Sequence, residues 1–147
     1  MNLCPGKSVG AIIKNEKSEY LCLYRLKHPT GLAFIAGHID STDKTPKDAL
    51  IREVMEESGL KVVRCELVLN KVFPNPCARP PGYDGHEWFV YNVSKYEGKP
   101  KLMEPTKHRF VEFLSASVIA YYISKGEVDP AWFTYIIPEL SLDITLK

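Results

Sequence analysis

Stretches of alternating or continuous apolar residues recur along the chain, and they predict six β-strands. These strands are expected at residues 8–14, 20–26, 32–36, 62–73, 87–96 and 109–113. Three further segments are predicted helices, at residues 46–58, 115–125 and 130–137. Because strands are interleaved with helices and mostly alternate rather than being uniformly apolar, the pattern indicates an α/β protein with a mixed sheet covered on both faces.

The helix predicted at residues 46–58 has capping signals at both ends. Thr45 is a good N-cap, Pro46 suits the first helical position, and Asp48 stands where a capping box has its acidic residue. Gly59 supplies the left-handed residue that commonly follows the last turn. The helix is therefore expected to begin at Pro46 and to end near Ser58.

This helix carries three glutamates on one face. At 100° per residue, Glu53, Glu56 and Glu57 fall within a sector of roughly 100°, and apolar residues such as Leu50 and Val54 lie on a different flank. Like charges at this spacing cost about a few tenths of a kcal/mol per pair, and the helix dipole disfavours negative charge near the C-terminus. Hard ions such as Mg²⁺ or Mn²⁺ accept carboxylate oxygens and keep positions for phosphate oxygens. The pattern therefore favours a metal site, with a solvated acidic face as the alternative.

Composition narrows the class of partner. The 147 residues fit one domain, residues 1–147. The chain has 19 basic and 18 acidic residues, a net charge of +1, so we expect no basic stripe that could bind a long nucleic acid. There is neither an apolar run near 18 residues nor a charged-then-apolar leader, so we expect no membrane span and a cytoplasmic protein. A small molecule is the expected partner, and the sequence is also compatible with a homodimer.

The four cysteines do not predict a metal or redox motif. Cys4, Cys22, Cys65 and Cys77 lie far apart, without a CxxC pair. Cys22 and Cys65 fall in apolar strands and are expected to be reduced core residues.

Residues 37–60, GHIDSTDKTPKDALIREVMEESGL, resemble the box of the Nudix (MutT-type) family, G-x5-E-x7-R-E-U-x-E-E-x-G-U, where U is aliphatic. The second half, REVMEESGL, matches at every specified position. The first half departs from the pattern, because Gly37 and Arg52 are fifteen positions apart where the family has fourteen. Aligned from the front, the family's first glutamate becomes Asp43; aligned from the back, it becomes Lys44. In the family that glutamate braces the loop against the box arginine.

The resemblance implies the Nudix-type α/β/α sandwich, with a mixed β-sheet between helices, and a Mg²⁺- or Mn²⁺-dependent hydrolysis of a nucleoside diphosphate linked to a further group. The segment EPTK at residues 104–107 is similar to the EP-x-K element of nucleotide-hydrolysing relatives, where the glutamate binds a second metal or orients water. Alternatively, Glu104 is an exposed loop carboxylate. The residues that the resemblance implies for metal binding are Gly37, Glu53, Glu56, Glu57 and Glu104, and those implied for catalysis are Arg52, Glu56, Glu57 and Glu104.

Substrate-binding candidates lie outside the box. Arg25 follows an apolar strand at the place where relatives keep a basic residue for phosphates, and a guanidinium offers planar, bidentate donors; a solvated strand end is the alternative. The proline-rich segment 72–88 contains Arg79, Tyr83 and Trp88, which could sandwich a base, although Trp88 could equally belong to the sheet. Two histidines, His86 and His108, are expected to be structural or surface groups.

The resemblance leaves the substrate open between two classes. The EPTK element and the segment VIAYYISKGEVDPAWF at residues 118–133 are similar to nucleoside triphosphate pyrophosphatases of the family, which favours a triphosphate cleaved to monophosphate and pyrophosphate. The proline-rich loop is similar to that of ADP-ribose-cleaving relatives, so ADP-ribose or a dinucleotide is the alternative. A non-catalytic nucleotide-binding module is a third hypothesis, which the three intact box glutamates disfavour.

Overall fold

The computed structural model of the protein describes residues 6–74, 85–142 and 144. Its strands, in chain order, are β1 Lys7–Ile13, β2 Tyr20–Arg25, β3 Gly31–Ala33, β4 Ile35–His38, β5 Lys61–Phe73, β6 His86–Glu97 and β7 His108–Leu114. Its helices are α1 Pro46–Ser58, α2 Ala116–Ser124, a π-helical segment Ala131–Ile136 and α3 Ile137–Leu140.

The strands form two sheets rather than one. The order of the first is β4-β1-β6-β5, in which β1 and β6 are parallel and the outer pairs are antiparallel. The second is antiparallel, with the order β3-β2-β7. Helix α1 packs on β1, β4 and β5, and α2 contacts β3. The predicted mixed α/β class with helices flanking the sheets is confirmed, whereas the division into two sheets was not predicted.

The expected single strand at residues 32–36 is interrupted at Phe34. Gly31–Ala33 pairs with β2 in one sheet, and Ile35–His38 pairs with β1 in the other. Phe34 is buried at the crossing, where its ring stacks on Tyr20 with centroids 5.5 Å apart and packs against Trp132 at 5.0 Å. The apolar run at residues 32–36 therefore contributes to both sheets, and the chain passes from one sheet to the other at Phe34.

Helix α1 has the predicted bounds and the predicted caps. The Asp48 N–H donates to Thr45 Oγ1 at 3.1 Å, and the Gly59 N–H donates to the Met55 carbonyl at 2.9 Å with Gly59 in the left-handed region at φ 75°. Ala49, Leu50 and Val54 are buried against the first sheet. These contacts hold the C-terminal turn of α1, with its glutamates, over the end of β4.

The helix predicted at residues 130–137 differs in type. Ala131–Ile136 is π-helical, and the Ile137 N–H donates to the Trp132 carbonyl five residues back. Pro138 has no N–H, so the next bond of a regular α-helix is missing at this point. Trp132 is fully buried over β1, where a Cβ atom on Gly10 would lie 2.7 Å from its ring. No helix in the described part of the chain is long and apolar enough to cross a membrane.

Candidate functional site

Arg52 organises the loop that leads into α1. Its Nε donates to Asp43 Oδ1 at 3.0 Å and its Nη2 donates to Asp43 Oδ2 at 2.8 Å, which is a bidentate pair. Nη2 also donates to the His38 carbonyl at 3.1 Å. The hydrogen bond from Arg52 holds the pKa of the Asp43 carboxyl below its usual value. Asp43, and not the exposed Lys44, thus makes the contact expected of the residue that braces the arginine.

The same guanidinium reaches the acidic face of α1. Nη1 donates to Glu53 Oε1 at 2.9 Å and to Glu56 Oε2 at 3.2 Å. Arg52 therefore joins the loop and the helix into one charged network. With one cation shared among Asp43, Glu53 and Glu56, negative charge remains in excess at this site.

Glu53 is packed against the backbone of Gly37. Its side chain is 13% exposed, and burial raises its pKa from 4.5 to about 7. A Cβ atom built on Gly37 would collide with the Glu53 carboxylate, so a larger residue at this position would have to displace that carboxylate. The structure thus gives Gly37 a steric role, in addition to the metal-binding role that the resemblance implies for it.

Glu57 lies on the buried flank of α1 and not on its solvated face. The residue is 7% exposed; its Oε1 accepts a hydrogen bond from the Ala36 N–H at 3.2 Å, and His108 Nε2 lies 3.4 Å from its Oε2. Burial raises its pKa well above the usual value, and the nearby Glu53 adds to this effect. Glu56, by contrast, is 48% exposed. Because Glu57 is buried and the side chain of Glu53 is only 13% exposed, the alternative of a solvated acidic face does not hold for this cluster.

Glu104 comes to the same place from the turn before β7. The N–H groups of Lys107 and His108 donate to the Glu104 carbonyl at 2.9 and 3.0 Å, and Lys107 Nζ lies 3.0 Å from Glu104 Oε2. One ligand atom each from Glu57, Glu104 and His108 lies within 4.8 Å of the others. His108 was expected to be a structural or surface group, and the structure instead buries it beside these two carboxylates. Its position one residue after the EPTK segment was a signal in the sequence that it could lie near Glu104.

The donor set fits a divalent cation. Glu53 and Glu57 are carboxylates that burial keeps from water, and Glu56 and Glu104 add further oxygens. Buried carboxylates are costly unless a cation accompanies them. Because the pKa values of Glu53 and Glu57 are raised when no cation is bound, an ion at this site would favour their ionised forms.

Two cavities meet at the end of β4. An acidic cavity of about 420 Å³ is lined by the glutamates named above together with Lys27 and Lys107. A less polar cavity of about 760 Å³ is lined by residues that include Trp88, Pro130 and Asp129. The two share four lining residues, namely Arg25, Ala36, Gly37 and His38.

The substrate-binding candidates divide among these cavities. Arg25 lies at the boundary, where its Nε donates to the Pro29 carbonyl at 2.9 Å. Trp88 lines the larger cavity but is buried and packs edge-on against Trp132. Arg79 and Tyr83 lie outside the described residues, as do Cys4 and Cys77.

The larger cavity also has polar groups that were not predicted to belong to a site. Asp129 is buried in its wall, its Oδ1 accepts from the Ala131 N–H at 2.9 Å, and burial raises its pKa. The rings of His38 and His86 stack beside it, with centroids 5.4 Å apart. The cavity therefore combines flat rings with a buried carboxyl, which suits a heterocycle more than a phosphate.

Comparisons with known proteins give a consistent result. The sequence model of the NUDIX domain matches residues 5–134. The MutT protein from Methanosarcina mazei Go1 is 23% identical, with a TM-score of 0.67 over 91% of each chain. The E. coli dihydroneopterin triphosphate pyrophosphohydrolase is 18% identical, with a TM-score of 0.68 over 94% of this chain and 99% of that chain. The NUDIX domain of Shewanella oneidensis NrtR, in a complex with ADP ribose, is 13% identical, with a TM-score of 0.59 over 83% and 79%. No curated protein sequence matches the chain.

Proposed function

Because this chain belongs to the Nudix hydrolase family, we propose that it is a Mg²⁺-dependent pyrophosphohydrolase acting on a nucleoside diphosphate linked to a further group. The proposed substrate is a nucleoside triphosphate, cleaved to the monophosphate and pyrophosphate. The proposal rests on two adjoining cavities. One is acidic and has cationic side chains in its lining, and the other is larger and is lined by flat rings.

The acidic cavity supplies the groups that the hydrolysis needs. Glu53, Glu56, Glu57 and Glu104 would hold the ion, which when bound neutralises the diphosphate and acidifies water. Arg52 keeps Glu53 and Glu56 in place through its bonds at 2.9 and 3.2 Å. We assign Glu104 to orienting the water, because it lines the same cavity as the glutamates of α1 but comes from a separate segment, just before β7.

The cationic groups favour a substrate with three phosphates. Arg25, Lys27 and Lys107 all line the acidic cavity. A triphosphate presents one more charged group to them than ADP-ribose does. Arg25, at the boundary between the cavities, would contact the phosphate nearest the nucleoside, and Asp129 and the stacked histidine rings would face the base.

Hydrolysis of a nucleotide panel with Mg²⁺ tests both parts of the proposal. We expect kcat/KM for the best nucleoside triphosphate to exceed that for ADP-ribose, and Arg25→Ala to lower it by about 10- to 100-fold, the range for loss of a charge-assisted contact. Glu56→Gln is the inactive control, and Glu66→Gln, which changes an exposed glutamate of β5, is the matched active one.

Two outcomes would count against the proposal in different ways. Faster cleavage of ADP-ribose than of every triphosphate would contradict the proposed substrate class, but the proposed pyrophosphohydrolase activity would stand. If the wild-type protein cleaved every nucleotide no faster than Glu56→Gln does, the proposed pyrophosphohydrolase activity itself would be contradicted.

A further inference from the structure

His108 is a buried histidine whose polar atoms are poorly satisfied. The residue is 3% exposed, and its Nδ1 has no hydrogen-bond partner among the described residues. Its Nε2 lies 3.4 Å from Glu57 Oε2, which is longer than the usual N–H···O distance of about 2.7–3.2 Å. Nε2 is therefore a buried polar atom with only a long contact to a carboxylate, and an ion beside it would satisfy it.

The surroundings of Nε2 are those of a metal site. His108 lines the acidic cavity together with Glu57 and Glu104, and one ligand atom of each residue lies within 4.8 Å of the others. Ligand atoms on opposite sides of one ion are about 4.2 Å apart when the bonds are about 2.1 Å long. Side-chain movements of less than about 1 Å would therefore bring all three atoms to one ion.

Nitrogen changes which ion such a site prefers. Mg²⁺ is a hard ion that takes oxygen ligands, whereas imidazole suits first-row transition ions. The other carboxylates of the cavity, Glu53 and Glu56, are instead paired with the cationic guanidinium of Arg52, at 2.9 and 3.2 Å. The cavity thus has carboxylates paired with Arg52 on α1, and a group of mixed oxygen and nitrogen donors where α1 meets β7.

We infer that His108, Glu57 and Glu104 form a nitrogen-containing site for a divalent transition ion such as Mn²⁺ or Co²⁺, distinct in its metal preference from the carboxylates Glu53 and Glu56. The inference rests on the proposed function in one respect only, since both assign Glu57 and Glu104 to metal binding. It does not depend on the identity of the nucleotide or on turnover.

Electron spin echo spectroscopy of the full chain loaded with Mn²⁺ tests the inference without any nucleotide. We expect modulation from a directly bound nitrogen in the wild-type protein, and a change of its frequency after ¹⁵N labelling of histidine. His108→Gln should remove the nitrogen signal. His28→Gln, which changes an exposed histidine of the larger cavity, should leave it unchanged.

Ion affinities give a second measurement. His108→Gln should weaken Mn²⁺ and Co²⁺ binding by about tenfold or more, and Mg²⁺ binding by less than about threefold. The wild-type spectrum needs no variant, so the absence of a bound nitrogen there would overturn the inference even if His108→Gln does not fold.

Each remaining outcome has a defined meaning. Absence of bound nitrogen in the wild-type spectrum, or its persistence in His108→Gln, would overturn the inference. Equal weakening of Mg²⁺ and Mn²⁺ binding would also overturn it, because His108 would then only position Glu57. A nitrogen signal without hydrolysis of any nucleotide would support this site and contradict the proposed function. Hydrolysis without the nitrogen signal would support the proposed function and contradict this site.

Discussion

Glu53→Gln should stabilise the metal-free protein while removing most of its activity. Burial raises the pKa of Glu53 from 4.5 to about 7, so ionising it in the folded protein costs about 3 kcal/mol of folding free energy. The glutamine amide is also buried, and its oxygen can still accept from Arg52, which loses one charged acceptor but keeps its bidentate pair with Asp43. We therefore expect a net gain of about 1–3 kcal/mol at pH 8 in EDTA.

The pH dependence of this effect has a definite sign. A carboxyl whose pKa is raised by folding binds a proton more tightly in the folded state, so its contribution to stability is complete below pH 4.5 and is lost as the pH rises to about 7. The wild-type metal-free protein should lose stability over this range. Glu53→Gln should lose less, with the remaining slope due to Glu57, whose pKa burial also raises.

Urea unfolding in EDTA at several pH values between 4 and 8 measures the prediction. Saturating Mg²⁺ should stabilise the wild-type protein by mass action and the variant by less. Glu66→Gln, at an exposed site on β5, controls for removal of a carboxylate as such. The reasoning is that the cost of burying the ionised Glu53 without a cation is larger than the gain from its bond to Arg52. A variant less stable than the wild type at pH 8, or one with an unchanged pH dependence, would refute it.

Three further changes test other parts of the site. Asp43→Asn should lower the unfolding free energy by about 1–3 kcal/mol and reduce kcat, because Arg52 loses its charged bidentate partner. Lys44→Ala should do neither. The reverse pattern in urea unfolding and steady-state kinetics would show that Asp43 does not brace the loop against Arg52. Glu104→Gln should lower kcat about tenfold or more with little change in melting temperature, since its carboxylate lies on a turn and its pairing with Lys107 is partly solvated; an unchanged rate would leave it as a surface carboxylate. Gly37→Ala should weaken Mg²⁺ binding measured by calorimetry, because the added methyl group would displace a carboxylate of α1, and unaltered binding would show that the loop can adjust.

Helix α1 shows what local sequence determines. Thr45, Pro46 and Gly59 act on backbone groups within a few residues of themselves, and the observed helix, Pro46–Ser58, has the predicted bounds. The strand positions follow from the side-chain period of two and differ from the predicted ones by one or two residues, apart from the interruption at Phe34. The three glutamates could be placed on one helix for the same reason.

Only the tertiary structure decided how these elements combine. The division of the strands into two sheets depends on Phe34, Tyr20 and Trp132, which are far apart in sequence and pack in one aromatic cluster. The choice of Asp43 over Lys44 depends on the path of the loop around Arg52. Neither contact has a signal within a few residues.

The chemistry of the site divides in the same way. Residue type and spacing predict a cation near Glu53, Glu56 and Glu57, because carboxylates on one helix face repel one another wherever the helix lies. Whether each carboxylate is solvated depends on what packs against it, and β4 and β7 bury Glu57 beneath Ala36 and His108. Burial and long-range pairing are properties of the assembled chain, so the raised pKa values of Glu53 and Glu57 and the contact between His108 and Glu57 follow only once β4 and β7 are placed beside α1.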